Sequence, residues 1–322
     1  MHEPTFRQAL SRSWQLVAHK KSLWIFGLLS ALIGQMGLSD FVGMLYKITN
    51  EGFRSNHYIL FLSFIRAWNW HKVSVILLVL WLLGLILLLV MMIIFVAVSS
   101  RGAMIAYAIH WYKKDSILPL SDAWNKGVQS FMPLLSITVV GRGLQMLIIG
   151  LLSMVALRLN HSNTLSGSLL IILCASVALF FALVIESVSI YSSGYAVLEK
   201  KNFGVAVKKG WDLFVDHVMV SLELGIVLML CTFVFLGVAV YSSFLAFFPS
   251  LIMWLVAGFT SLNFLIGLGV YSGIVLYVAL LLVAAGIFNA FVTCSWMYLF
   301  MKMHHEGVVS RVIHFLKNIF TR

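Results

Sequence analysis

Residues 73–98 read VSVILLVLWLLGLILLLVMMIIFVAV, without one charged side chain. A bilayer core takes roughly 20 apolar residues of helix, and this run exceeds that length. Lipid offers a backbone no hydrogen-bond partner outside itself, so such a run has to be helical. The same ruler laid along the chain predicts six spans: 22–38, 73–98, 132–157, 168–191, 218–240 and 272–301. A weaker apolar stretch, 251–268, contains Gly258, Thr260, Ser261, Asn263 and Gly267. It reads as an interfacial or re-entrant piece, or as extra spanning length.

Composition agrees with the spans. Of 322 residues, 61% are hydrophobic and 10% charged, and the mean hydropathy is +1.01, values far outside soluble usage. The expectation is a single integral membrane domain over 1–322. Residues 1–21 are too long and too helical for the charged region of a signal peptide, so the first span is expected to stay as an anchor. Cys174, Cys231 and Cys294 all lie in apolar segments without a CxxC partner, which points to neither a disulfide framework nor a metal site.

The net charge of +11 would suggest nucleic acid in a soluble protein. Here the basic residues flank spans, where anionic lipid and the positive-inside rule account for them. Four stand in the N-terminal arm (Arg7, Arg12, Lys20, Lys21) and four after span two (Arg101, Lys113, Lys114, Lys126). Four more follow span four (Lys200, Lys201, Lys208, Lys209), and the tail carries Lys302, Arg311, Lys317 and Arg322. The opposite side holds Lys47, Arg54, Arg66 and Lys72 after span one, Arg158 after span three and none in 241–271. The bias predicts cytoplasmic termini, with which an even number of spans agrees.

A short pattern precedes two of the hairpins. It reads Phe6, Ala9, Leu10, Arg12, Ser13, Trp14, Leu16 in one place and Phe203, Ala206, Val207, Lys209, Gly210, Trp211, Leu213 in the other. Each copy sets Phe and Trp on one helical face and basic residues on the other, as a helix at a membrane surface requires. Phe6, Trp14, Phe203 and Trp211 are therefore read as membrane-surface residues. Leu120, Ala123, Trp124, Lys126 and Gly127 form a degenerate third copy in the places of Phe6, Ala9, Leu10, Arg12 and Ser13. The expected fold is an all-α polytopic transmembrane bundle of about six spans. Cytoplasmic amphipathic elbow helices open each unit of a threefold parallel repeat, with units of roughly 1–98, 115–195 and 200–303. In the tail, 306–322, Val309, Val312, Ile313, Leu316, Ile319 and Phe320 share a face away from the basic residues, the pattern of a surface anchor on anionic lipid.

The stretch from Tyr195, YAVLEKKNFGVAVKKGWDL, resembles a signature in a broad bacterial group of multi-span inner-membrane proteins. That group includes the membrane domain fused in some bacteria to glycerophosphoryl diester phosphodiesterases. The opening Phe6 to Leu16 pattern, the Ser121-Asp122-Ala123-Trp124 segment, and Trp296 and Tyr298 in the last span are similar to the same group. The resemblance implies a six-span helical membrane fold and no catalysis, because the soluble phosphodiesterase barrel with its acidic and histidine residues is missing.

Three ionisable residues fall inside the predicted spans: Arg142 between Gly141 and Gly143, Glu186 in span four and Glu223 early in span five. Charges at such depth cost several kcal/mol and face a partner or a wet cavity. Counted at about 1.5 Å per residue, all three lie in the cytoplasmic half, so the expectation is an Arg142–Glu186 ion pair with Glu223 near enough to share the guanidinium. It is either a staple between spans three, four and five or a site for a proton, a cation or an anionic headgroup. On the assignment of units, the first carries no deep charge.

Enzyme signatures are lacking: His304 and His305 are adjacent rather than at i, i+4, and there is no HExxH, GxSxG elbow or phosphate loop. No cofactor is implied. The sequence favours a non-enzymatic inner-membrane protein acting in envelope organisation, lipid handling or as a scaffold for a membrane partner, with a small transporter built on the Arg/Glu cluster as the alternative. The partners expected are anionic lipids of the bilayer and another membrane protein or a second copy of the chain; nucleic acid is not among them.

Overall fold

The structure is a computed structural model and describes residues 5–31, 73–116, 118–159, 165–260 and 264–306. The described residues form nine helices. In chain order they are α1 (Thr5–His19), α2 (Ser22–Ala31), α3 (Val73–Lys114), α4 (Leu120–Gln129), α5 (Phe131–Leu159), α6 (Leu165–Leu198), α7 (Phe203–Asp216), α8 (Val218–Thr260) and α9 (Phe264–Glu306). Five of them, α3, α5, α6, α8 and α9, are long and apolar enough to cross a membrane, while α2 is a shorter apolar helix. The chain is a multi-pass helical membrane protein.

Several long helices outrun the predicted spans. α3 continues past residue 98 to Lys114, because the chain from Ala103 to Ile109 is again apolar and no proline interrupts it. Arg101 therefore lies inside a helix and is buried; placing it in a flanking loop was an error. α8 and α9 have 43 residues each, about 65 Å at 1.5 Å per residue. Residues 251–260 and 264–268 simply extend these two helices. Ser250 fastens this distal part by donating to the Gly269 carbonyl at 2.6 Å. The second part of the first span, the loop 39–72 and the amphipathic tail from residue 307 lie outside the described residues.

The packed core gathers at one end of the bundle. It unites the C-terminal halves of α3, α6 and α9 with α1, α4, α7 and the start of α8, through fully buried residues such as Met104, Tyr191 and Phe300. Away from that end the long helices present Leu, Val and Phe outward, which suits contact with lipid tails rather than water. The helices that complete the hairpins, α3, α6 and α9, touch one another, while α2, α5 and α8 pack on them.

The three short helices α1, α4 and α7 share one mode of docking. α4 lies on α3, α7 on α6 and α1 on α9. In all three the alanine of the pattern (Ala9, Ala123, Ala206) is fully buried. Four residues on, the chain needs a small side chain: a methyl at Gly127 would come within 2.7 Å of the Ala103 nitrogen, and one at Gly210 within 2.8 Å of the Ser192 nitrogen. The N-terminal helix α1 has Ser13 there, also fully buried, and its hydroxyl meets the Tyr112 hydroxyl at 3.0 Å. Tyr112 donates its single proton to the Cys294 carbonyl at 3.2 Å, so Ser13 is the donor in that pair. Gln8 completes this docking by accepting from Lys302 at 2.6 Å.

Candidate functional site: the buried polar centre

On α5, Thr138, Arg142 and Gln145 follow one another at i, i+4 and i+7 and so share a face. Thr138 gives its proton to the Leu134 carbonyl at 2.8 Å and accepts from the Arg101 guanidinium at 3.4 Å. Arg142 donates to Gln145 Oε1 at 3.3 Å, and Gln145 Nε2 donates to Glu186 Oε2 on α6, also at 3.3 Å. Arg142 and Glu186 are thus joined, with Gln145 as the relay between them. Glu223 stands half-buried near the start of α8; neither it nor Arg142 is among the residues lining the cavity described next.

The residue that the sequence reading missed is Arg101. It is 8% exposed, and the opposite charge acting on it comes from Glu186, with Arg142 adding a like charge. The first hairpin therefore does carry a deep charge, contrary to the expectation. The signal was present in the apolar run that follows Arg101, which continues the helix for more than two further turns. Gln145 and Asn289 were missed because only ionisable groups were sought within the spans.

Arg101 and Glu186 line a cavity of about 30 Å³. Ser30 of α2, Thr232 of α8, and Asn289, Thr293 and Trp296 of α9 also face it. Asn289 ties two helices together: its Nδ2 donates to the Gly27 carbonyl at 2.9 Å and to Ser30 Oγ at 2.6 Å. The α2–α9 crossing is close, since a methyl on Gly286 would fall 2.7 Å from the Trp24 carbonyl oxygen. The cavity thus sits where α2, α3, α6, α8 and α9 meet, with a polar group from each of the five.

The predicted surface residues lie on the short helices as follows. Trp14 is 56% exposed and meets Phe291 edge-on at 6.0 Å; Trp211 is 49% exposed and tilts over Phe214 at 6.2 Å. Phe6 and Phe203 are half-buried against the core. Where α6 hands over to α7, Lys209 pairs with Glu199 and stands 5.5 Å over the Tyr195 ring. Among the described residues no group of three or more His, Cys, Asp or Glu gathers as a metal site would require; Cys294 is buried, and Cys174 and Cys231 are half-buried.

Set against protein families, curated proteins and solved structures, the chain has no significant match in any of the three.

Proposed function

We propose that this chain is a non-enzymatic protein of the bacterial inner membrane that acts on the membrane itself, in envelope organisation, lipid handling or the holding of a membrane partner. The observation that carries this reading is the small size of the polar centre. A cavity of about 30 Å³ has room for a water or two, whereas small-molecule sites enclose about 300–1,000 Å³. Its charges are met from within the protein, as they would be if they held α3, α5 and α6 in one arrangement. The family resemblance belongs to the same proposal, with the six-span fold it implies.

The orientation proposed has both termini cytoplasmic. Arg101 leaves the count of flanking charges, yet Lys113, Lys114, Lys126 and Lys200 still crowd the end of the bundle that bears α4 and α7, and the positive-inside rule assigns that end to the cytoplasm. Trp14 and Trp211 then stand at headgroup depth, where indole is favoured. A transporter using Arg101, Glu186, Arg142 and Glu223 is the rival reading, and it needs water to reach the buried charges from one side.

Cysteine accessibility separates the two. In a background carrying Cys174→Ala, Cys231→Ala and Cys294→Ala, Thr232→Cys and Thr293→Cys at the cavity are treated with a membrane-impermeant maleimide, first in intact cells and then in inside-out vesicles. Lys208→Cys serves as the exposed control. The proposal expects no labelling at either cavity position from either side until the protein is denatured. Labelling from one side at the control's rate would establish the transporter reading instead.

A further inference from the structure

A second concavity lies at the other polar feature of the molecule, the base formed by the ends of α3 and α6 and by α4. It is an open cleft of about 620 Å³, in the size range of small-ligand sites. Lys113 and Lys114 enter it from α3, Lys126 from α4, and Lys200 from the turn after α6. Among the described residues Asp122 is the one carboxylate lining it, and none of the four lysines forms an ion pair with a described carboxylate. Lysines in the last turn of α3 suit that helix's negative end. Lys126 stands in the last turn of α4 in the same way, and Lys200 follows the end of α6; even so, four cations around one cleft repel one another unless an anion joins them.

The remaining lining defines what kind of anion fits. Asn125, Gln129 and Ser130 add neutral hydrogen-bonding groups, while Ile109, Leu118 and Val197 give an apolar wall. A basic rim over an apolar wall matches a phosphate group carried on an amphiphile. We propose that this cleft binds a phosphate-bearing anion, either the headgroup of an anionic phospholipid or a soluble phosphate ester of the same chemistry. The proposal rests on the reading of this end of the bundle as the face toward the cytoplasmic leaflet.

The test uses the full chain purified in a mild non-ionic detergent and follows its thermal-unfolding midpoint. Two probes are titrated, dioctanoyl phosphatidylglycerol and glycerol 3-phosphate, at low and moderate salt. The variants are Lys113→Gln with Lys126→Gln in the cleft, and Lys21→Gln with Lys208→Gln as a control of equal charge loss on exposed positions outside it. The expected result is a saturable rise in midpoint for wild type and control, weakened by salt, with the apparent Kd of the cleft variant raised about 25-fold, roughly fivefold per lysine. A response to the lipid alone assigns the site to a headgroup that uses the apolar wall; a response to both assigns it to the phosphate. If the double variant does not fold, Lys200→Gln is read in its place, with about a fivefold weakening. Equal responses from the cleft and control variants, or no saturable response to either probe, would overturn the site. That failure would leave the cavity-accessibility result untouched, so the two proposals fail separately.

Discussion

Arg101 on α3 and Glu186 on α6 line one cavity, and the carboxylate is the opposite charge that acts on the buried guanidinium. Their surroundings come from other helices, with Thr138 accepting from Arg101 and Gln145 donating to Glu186. Four side chains thereby connect three helices at a depth where an uncompensated charge is costly. Consequences for the surrounding structure follow from the same packing.

The docking of α7 on α6 depends on Gly210. Gly210→Leu drives a side chain into the Ser192 backbone, and overpacking of this kind costs about 1–3 kcal/mol. The expected outcome is a lower unfolding midpoint in detergent, whereas Gly204→Ala, with no atom within 4 Å of the added methyl, leaves the midpoint within error. Gel-filtration profiles recorded after heating would read both.

Asn289 straps α2 to α9 through Gly27 and Ser30. Asn289→Leu removes both bonds while keeping the branched shape and the number of heavy atoms. Interhelical hydrogen bonds in membranes average about 0.6 kcal/mol with a maximum near 1.7, so a loss of about 1 kcal/mol is expected. Faster proteolysis of α2 in membranes, with the α8–α9 hairpin unaffected, would be the accompanying sign.

Ser99 is fully buried, and its hydroxyl has no hydrogen-bond partner. An unsatisfied buried polar group is a cost rather than a gain. Ser99→Ala is therefore expected to leave the unfolding free energy unchanged or raise it, by up to about 1 kcal/mol. A clear loss of stability would mean that the hydroxyl has a use other than packing.

The contrast between residues the sequence revealed and those it hid has a physical basis. The apolar runs of α3, α5, α6, α8 and α9 announce themselves because lipid selects for length and hydropathy alone. Ala9, Ala123 and Ala206 were also visible, since the elbow helices can approach their neighbours only through small residues. Arg101 was hidden because a charge near a span end reads as a flank unless the apolar run that follows it, Ala103 to Ile109, is taken as a continuation of the helix. Gln145 was hidden for a different reason: its importance comes from bridging two helices, and no property of one helix alone records that.

The central claim, that the polar centre holds the bundle together, is tested most directly by a double-mutant cycle on Arg101→Met and Glu186→Gln, read as unfolding free energy of the purified protein in detergent. Glu186→Gln removes the carboxylate that acts on the buried guanidinium and is expected to lose about 1–3 kcal/mol, whereas Arg101→Met is expected to lose less, because Arg142 still reaches Glu186 through Gln145. The account predicts that the double variant regains most of the Glu186→Gln loss, with a coupling above about 1 kcal/mol. Additive losses, with the double variant less stable than either single, would contradict it.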